Sequence, residues 1–157
     1  MKIALGSDHA GFRAKEQLAE HLRRLGHEVN DLGTHSEEST DYPDYARLVG
    51  EAVRNHQSDM GVLVCGTGIG VAMAANKIRG IRAAVCHNLF TAEVTRSHND
   101  ANVLCLGARI LDVEEMKRIA EKFLSTPHEG GRHARRVRKI ADIENYECGR
   151  GDLTSDS

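Results

Sequence analysis

The chain has no apolar run approaching the length of a membrane span, and its opening, MKIALGSDHAGF, turns polar after Leu5, too early for a signal-peptide core. A cytoplasmic protein with no membrane partner is expected. It also lacks a basic excess. Its 21 Lys and Arg stand against 23 Asp and Glu, a net charge of −2 with a pI near 6.5, which argues against a dedicated nucleic-acid binder. No CxxC pair joins the four cysteines at 65, 86, 105 and 148, so zinc knuckles and dithiol redox motifs are missing and free thiols are expected. The nine histidines include no HxxxH or HExxH spacing, and no metal is assigned. Soluble small-molecule chemistry is the class left standing.

A length of 157 residues with 40% hydrophobic content suits one domain with a real core. Apolar runs alternate with helix-period segments, the signature of βαβ units and a parallel sheet. Five strands are predicted, over 2–8, 27–33, 61–66, 82–87 and 102–108. Helices are predicted between them. The first has Leu18, Leu22 and Leu25 on one face, the second Ala46, Val49 and Val53, followed by VAMAANKI and LFTAEVTRSH. After the last strand, Asp112 can cap VEEMKRIAEKFL, whose Met116, Ile119, Ala120 and Phe123 form an amphipathic stripe. Gly26 and Gly80 are placed to close helices, and a final basic helix is expected from about Arg132 to Ile143. From 147 to 157 the apolar periodicity is gone. A flexible tail is expected there, after a domain over 1–146, and its Arg-Gly-Asp tripeptide is read as chance.

Residues Gly61 to Gly70, GVLVCGTGIG, combine a buried-strand pattern, a cysteine at its carboxyl end and a glycine-rich turn into a helix. The glycines at 66, 68 and 70 miss the last position of GxGxxG, and no Lys-Ser or Lys-Thr completes a P-loop, so neither nucleotide motif is supported. The remaining readings are an anion-binding turn beside a thiol, or a tight turn that simply needs glycine. In an open parallel sheet the carboxyl ends of the strands share one edge. That edge should carry Ser7, Asp8 and His9, then Cys65 and its loop, then His87 and Asn88, then Arg109. Asp8 could equally be a helix cap. His98 and Asn99 end a helix that returns to the opposite edge, so a loop excursion or a second subunit would be needed to bring His98 to Cys65. Arg132 and Arg136, four apart, can grip a phosphate or can be a solvated helix face.

Taken together, GSDHAGF (6–12), CGTGIG (65–70), RSHNDANVLCLGARI (96–110) and GGRHARRV (130–137) resemble ribose-5-phosphate isomerase type B, in the family shared with galactose-6-phosphate isomerase. The match is co-linear and stops near Tyr146. It implies a Rossmann-like three-layer α/β/α sandwich with a five-stranded parallel sheet. It also implies a cytoplasmic homodimer with shared active sites, with pairing of dimers left open, and cofactor-free interconversion of ribose 5-phosphate and ribulose 5-phosphate in the non-oxidative pentose phosphate pathway. By position, Cys65 corresponds to the base, Thr67 to a proton-shuttling hydroxyl, and His98, with Asp8, to the ring-opening group. His9, Arg109, Arg132 and Arg136 correspond to phosphate ligands, some from the partner subunit. Asn99 and Tyr42 correspond to sugar contacts, and His133 lies beside them. Some relatives use a glutamate further along as base. Here Cys65 is present and position 71 is Val, so the chain resembles the cysteine type.

Aldose-ketose isomerisation through an enediolate needs a base, an oxyanion stabiliser and a hydroxyl-proton relay. Amides of Gly66, Gly68, Ile69 and Gly70 are candidates for the oxyanion, and the same helix N-terminus favours a thiolate at Cys65. Arginines on the phosphate would hold the reacting carbon against the sulfur. A six-carbon phosphosugar isomerase and a non-catalytic sugar-phosphate-binding module are the alternative readings.

Overall fold

The computed structural model describes residues 1–154, with side chains described through position 149. Five parallel strands, β1 (Lys2–Ser7), β2 (Glu28–Asp31), β3 (Met60–Cys65), β4 (Ala83–Val85) and β5 (Val103–Gly107), alternate with helices α1 (Phe12–Arg24), α2 (Tyr42–Arg54), α3 (Ile69–Ala75), α4 (Leu89–Ser97), α5 (Val113–Ser125) and α6 (Gly131–Thr154). The sheet order is β2-β1-β3-β5-β4. The expected Rossmann-like sandwich is present.

Strand periodicity explains its layers. Successive side chains point to opposite faces, and each central strand is apolar on both, as a doubly covered parallel sheet requires. Ile3, Leu5, Val62, Val64, Leu104 and Leu106 pack on one face with Leu18 and Leu22 of α1, Ala92 of α4 and Met116, Ile119 and Phe123 of α5. Ala4, Leu63, Cys65, Val103 and Cys105 face the other way, against Ala46, Val49 and Val53 of α2 and Val71, Ala72 and Ala75 of α3. Cys65 therefore projects to the α2 and α3 side. Asp112 caps α5 as expected and completes a capping box with Glu115.

Three departures matter. Leu25 is not part of the α1 core stripe, because it is the C-cap and is exposed. Its place is taken at the other end by Lys15, which lies on the Leu18 and Leu22 face and is completely buried. The third departure is α6, which runs past Ile143 to Thr154 and so takes in much of the stretch expected to fray. Residues 155–157 and the side chains of the Arg-Gly-Asp tripeptide lie outside the described residues. The amphipathic face of α6, with Ile140 and Ile143 exposed, borders a groove of about 710 Å³ next to the β4 edge, lined also by Ile81, Ala83 and Ala84. Among the described residues no helix is long and apolar enough to cross a membrane.

Candidate active site

Strand order reverses between β1 and β3, since β2 lies beyond one and β5 beyond the other. The crevice outside such a reversal is where open α/β sheets hold ligands. Register places Ser7 opposite Val64 and Cys65 opposite Gly107, so the segments after β1, β3 and β5 leave the sheet side by side.

Cys65 ends β3 with its side chain nearly buried. The chain then turns through Gly68, whose φ of 78° is left-handed, a conformation natural to glycine. That turn aims the Gly68 N–H at Cys65 Sγ, 3.1 Å away. The Ile69 N–H is taken by Thr67 Oγ1 at 3.2 Å, so two of the loop amides expected to face an oxyanion already have partners within the loop. Thr67 is exposed, and its carbonyl lies 3.3 Å from His87 Nε2. Burial pushes the neighbouring Cys86 thiol up to about 11 and the Cys105 thiol well above its ordinary range. Both are suited to remain protonated core groups.

The other residues on this edge are brought in by backbone contacts. Arg109 N–H donates to the Gly66 carbonyl at 2.9 Å, and its guanidinium lies against Gly66, 3.0 Å from where a Cβ would stand. Gly70 likewise faces the Tyr42 ring, 2.7 Å from its missing Cβ position. Asp8 N–H bonds the Val64 carbonyl at 3.3 Å, and Asp8 Oδ1 accepts from Gly11 N–H at 3.1 Å. Asp8 thus braces the turn that leads into α1, whose N-cap is Gly11 with no side-chain cap bond, so Asp8 makes a turn contact and is not the helix cap that the sequence allowed. His9 Nδ1 accepts from Thr40 N–H at 3.1 Å, tying the loop before Tyr42 to this cluster.

His98, Asn99, Arg132, His133 and Arg136 are elsewhere. His98 is the C-cap of α4 and precedes β5, at the sheet's amino-terminal edge. Its ring stacks on His133, with centroids 4.1 Å apart and planes 5° from parallel. Arg132 and Arg136 flank His133 on α6, both exposed. Burial first, then His98, Arg132 and Arg136, hold the His133 imidazole below its ordinary protonation range, with Glu129 opposing. Within one chain, then, Asp8 and Cys65 sit on one edge and His98 on the other.

Several supporting residues carried no motif. Arg96, almost buried, bonds Asp100 at 2.8 Å and the Ala101 carbonyl at 2.7 Å, while Arg82 bonds Asp100 at 3.1 Å and the Asn99 carbonyl at 3.2 Å. Together they clamp the turn bearing His98 and Asn99. Glu129 N–H donates to the Ser97 carbonyl at 3.0 Å, fixing the entry to α6 beside His98. An i, i+4 Arg96 and Asp100 pair was visible in the sequence, but nothing in it marked Arg82 as a partner.

The Ribose/Galactose Isomerase family model matches residues 3–140. The chain belongs to the ribose/galactose isomerase family. Ribose-5-phosphate isomerase B of Escherichia coli K12 is 49% identical over 143 residues, covering 91% of this chain and 96% of that one. Among solved structures, ribose-5-phosphate isomerase B of Clostridium thermocellum superposes with a TM-score of 0.93 at 48% identity, over 94% of this chain and 99% of that chain. The Mycoplasma genitalium enzyme, solved with bound ribulose-5-phosphate, gives a TM-score of 0.88 at 44% identity, over 92% of this chain and 96% of that chain. Family membership thus covers both sheet edges described above and the first turns of α6.

Proposed function

We propose that this family member is a ribose-5-phosphate isomerase that interconverts ribose 5-phosphate and ribulose 5-phosphate through an enediolate, with Cys65 as the base. The observation that carries the residue assignment is the thiol at the β1/β3 strand reversal with an amide N–H directed at its sulfur at 3.1 Å and a guanidinium over the adjoining Gly66.

The sulfur removes the proton from C2 of the open-chain aldose and returns it to C1, while the hydroxyl proton passes from O2 to O1. Thr67, exposed beside Cys65, is the hydroxyl placed for that second transfer. The Gly68 N–H on Sγ fixes the position of the sulfur beside the loop. Arg109 and His9 hold one end of the substrate on this edge, and Tyr42 closes over the loop at Gly70. Remote contacts of this kind supply orientation for the reacting carbon.

Ring opening requires a further group near the sugar, and one chain does not bring His98 to its own Cys65. We infer that a second copy of the chain supplies His98, Asn99, Arg132, His133 and Arg136, so that the active unit is a homodimer with shared sites. The test is isomerisation of ribose 5-phosphate by wild type and Cys65→Ala with chelator present, with allose 6-phosphate and galactose 6-phosphate for comparison. Pentose turnover that disappears in the variant supports the reading; a variant that retains turnover moves the base elsewhere. Mixing inactive Cys65→Ala with inactive His98→Asn should restore up to about a quarter of wild-type activity if sites are shared, because random pairing leaves half the dimers mixed, each with one intact site.

A further inference from the structure

Two histidines and a carboxylate from separate chain segments meet at the end of α4. His98 closes that helix, and Glu129 and His133 stand four apart across the start of α6. One donor atom of each residue lies within 4.8 Å of the others, and Glu129 Oε2 is 3.5 Å from His133 Nε2. The scaffold is held on both sides. The Ser97 carbonyl receives the Glu129 N–H at 3.0 Å and lies 3.0 Å from His128 Nδ1, while Arg96 and Arg82 clamp the turn that follows His98. His133 is almost buried, and its ring is fixed by stacking on His98. Two imidazoles and a carboxylate are a donor set for a borderline transition ion, and three protein ligands leave an open position for solvent or inhibitor.

We propose that His98, Glu129 and His133 bind a divalent transition ion of the zinc type, and that the bound ion inhibits the isomerase by occupying His98. The inhibition clause rests on the function proposed above; the binding clause does not. Stacked imidazoles direct their lone pairs along parallel planes, so binding must splay the two rings toward Glu129. Arg132 and Arg136 oppose a cation here, and Glu129 offsets them. The ion and the sugar phosphate then compete for one place. Zinc should raise KM more than it lowers kcat.

The experiment titrates zinc chloride into the isomerase assay of chelator-stripped protein, in a buffer that does not bind metal, with wild type and Glu129→Gln in parallel. Glu129→Gln keeps the backbone N–H that holds the Ser97 carbonyl, and the inhibition of each protein is read against its own zinc-free activity. Wild type should be inhibited, chelator should reverse the inhibition, and Glu129→Gln should need about tenfold more zinc or above. Equal sensitivity in the two proteins would overturn the proposal and implicate a thiol. Cobalt(II) absorption reads binding without activity. Weak visible bands with no sulfur charge-transfer band, reduced in Glu129→Gln, support the site even if ribose 5-phosphate is not the substrate. A strong sulfur band, or no difference between the proteins, refutes it.

Discussion

Lys15 gives the sharpest test of how the site is held. Its side chain is fully buried, and its ammonium sits 2.5 Å from Asp31 and 2.8 Å from Glu16, whose side chains are 18% and 52% exposed. Asp31 Oδ1 also accepts the Gly33 N–H at 2.9 Å, the Gly33 carbonyl accepts the Ser7 N–H at 2.7 Å, and Asp8 is the next residue. Asp31→Asn keeps the shape and the acceptor for Gly33 but removes the counter-charge from a buried ammonium, leaving it only Glu16. Breaking a buried pair this way costs about 3–5 kcal/mol. At roughly 2–4 °C per kcal/mol for a chain of this size, Tm falls by about 6–20 °C. Lys15→Met should cost less, about 1–3 kcal/mol, because Asp31 keeps its amide donor and reaches solvent. Thermal and urea denaturation followed by circular dichroism measure both, and isomerase activity below Tm should drop in Asp31→Asn as the Asp8 turn loosens. A stability loss in Asp31→Asn smaller than in Lys15→Met, or within about 0.5 kcal/mol of wild type, would refute the reasoning.

Alkylation should single out Cys65. In a Cys148→Ser background, iodoacetamide should label Cys65 and abolish turnover, with sugar phosphate protecting, because Cys65 opens onto the exposed Thr67 loop whereas desolvation keeps the Cys86 and Cys105 thiols protonated; peptide mapping that finds the label on either of those would count against the assignment. Gly70→Ala should separate binding from stability. An alanine inside a helix normally adds roughly 0.5–1 kcal/mol, but here its Cβ would stand 2.7 Å from the Tyr42 ring, so KM should rise severalfold with Tm nearly unchanged, and an unaltered KM would remove Tyr42 from the site. His133 should give stability a pH slope. Its folded-state pKa lies below the ordinary 6.5, so the unfolded chain binds more protons in that window, and stability should rise with pH through it and fall on acidification. His133→Asn should flatten that slope in denaturation curves between about pH 5 and 7, and an unchanged slope would assign the titration to another group.

The strands and most helices were legible because each answers to a local period. Val62 and Val64 against Leu63 and Cys65 had to face opposite sides of a sheet, and Met116, Ile119 and Phe123 had to share one side of a helix. Lys15 was not legible in the same way. Its place on the Leu18 stripe was visible, but the Asp31 that makes its burial tolerable arrives from β2 through sheet pairing. The length of α6 beyond Ile143 was also hidden, since a polar helix leaves no periodic mark. Its attachment rests on particular pairs, Glu144 with the Gly80 N–H at 3.0 Å and Asn145 with Arg79 at 2.5 Å.

By itself the sequence determined the layered α/β fold, the thiol at the end of β3 and the glycine turn after it, because hydrophobic period and backbone permissiveness are properties of neighbouring residues. Only the tertiary structure decided which of these meet. Strand order set Asp8 and Arg109 beside Cys65, and the crossover direction of α4 sent His98 to the far edge, where it stacks on a histidine 35 positions later in the chain. Order and direction depend on how whole elements pack, and no local stretch of residues carries that information.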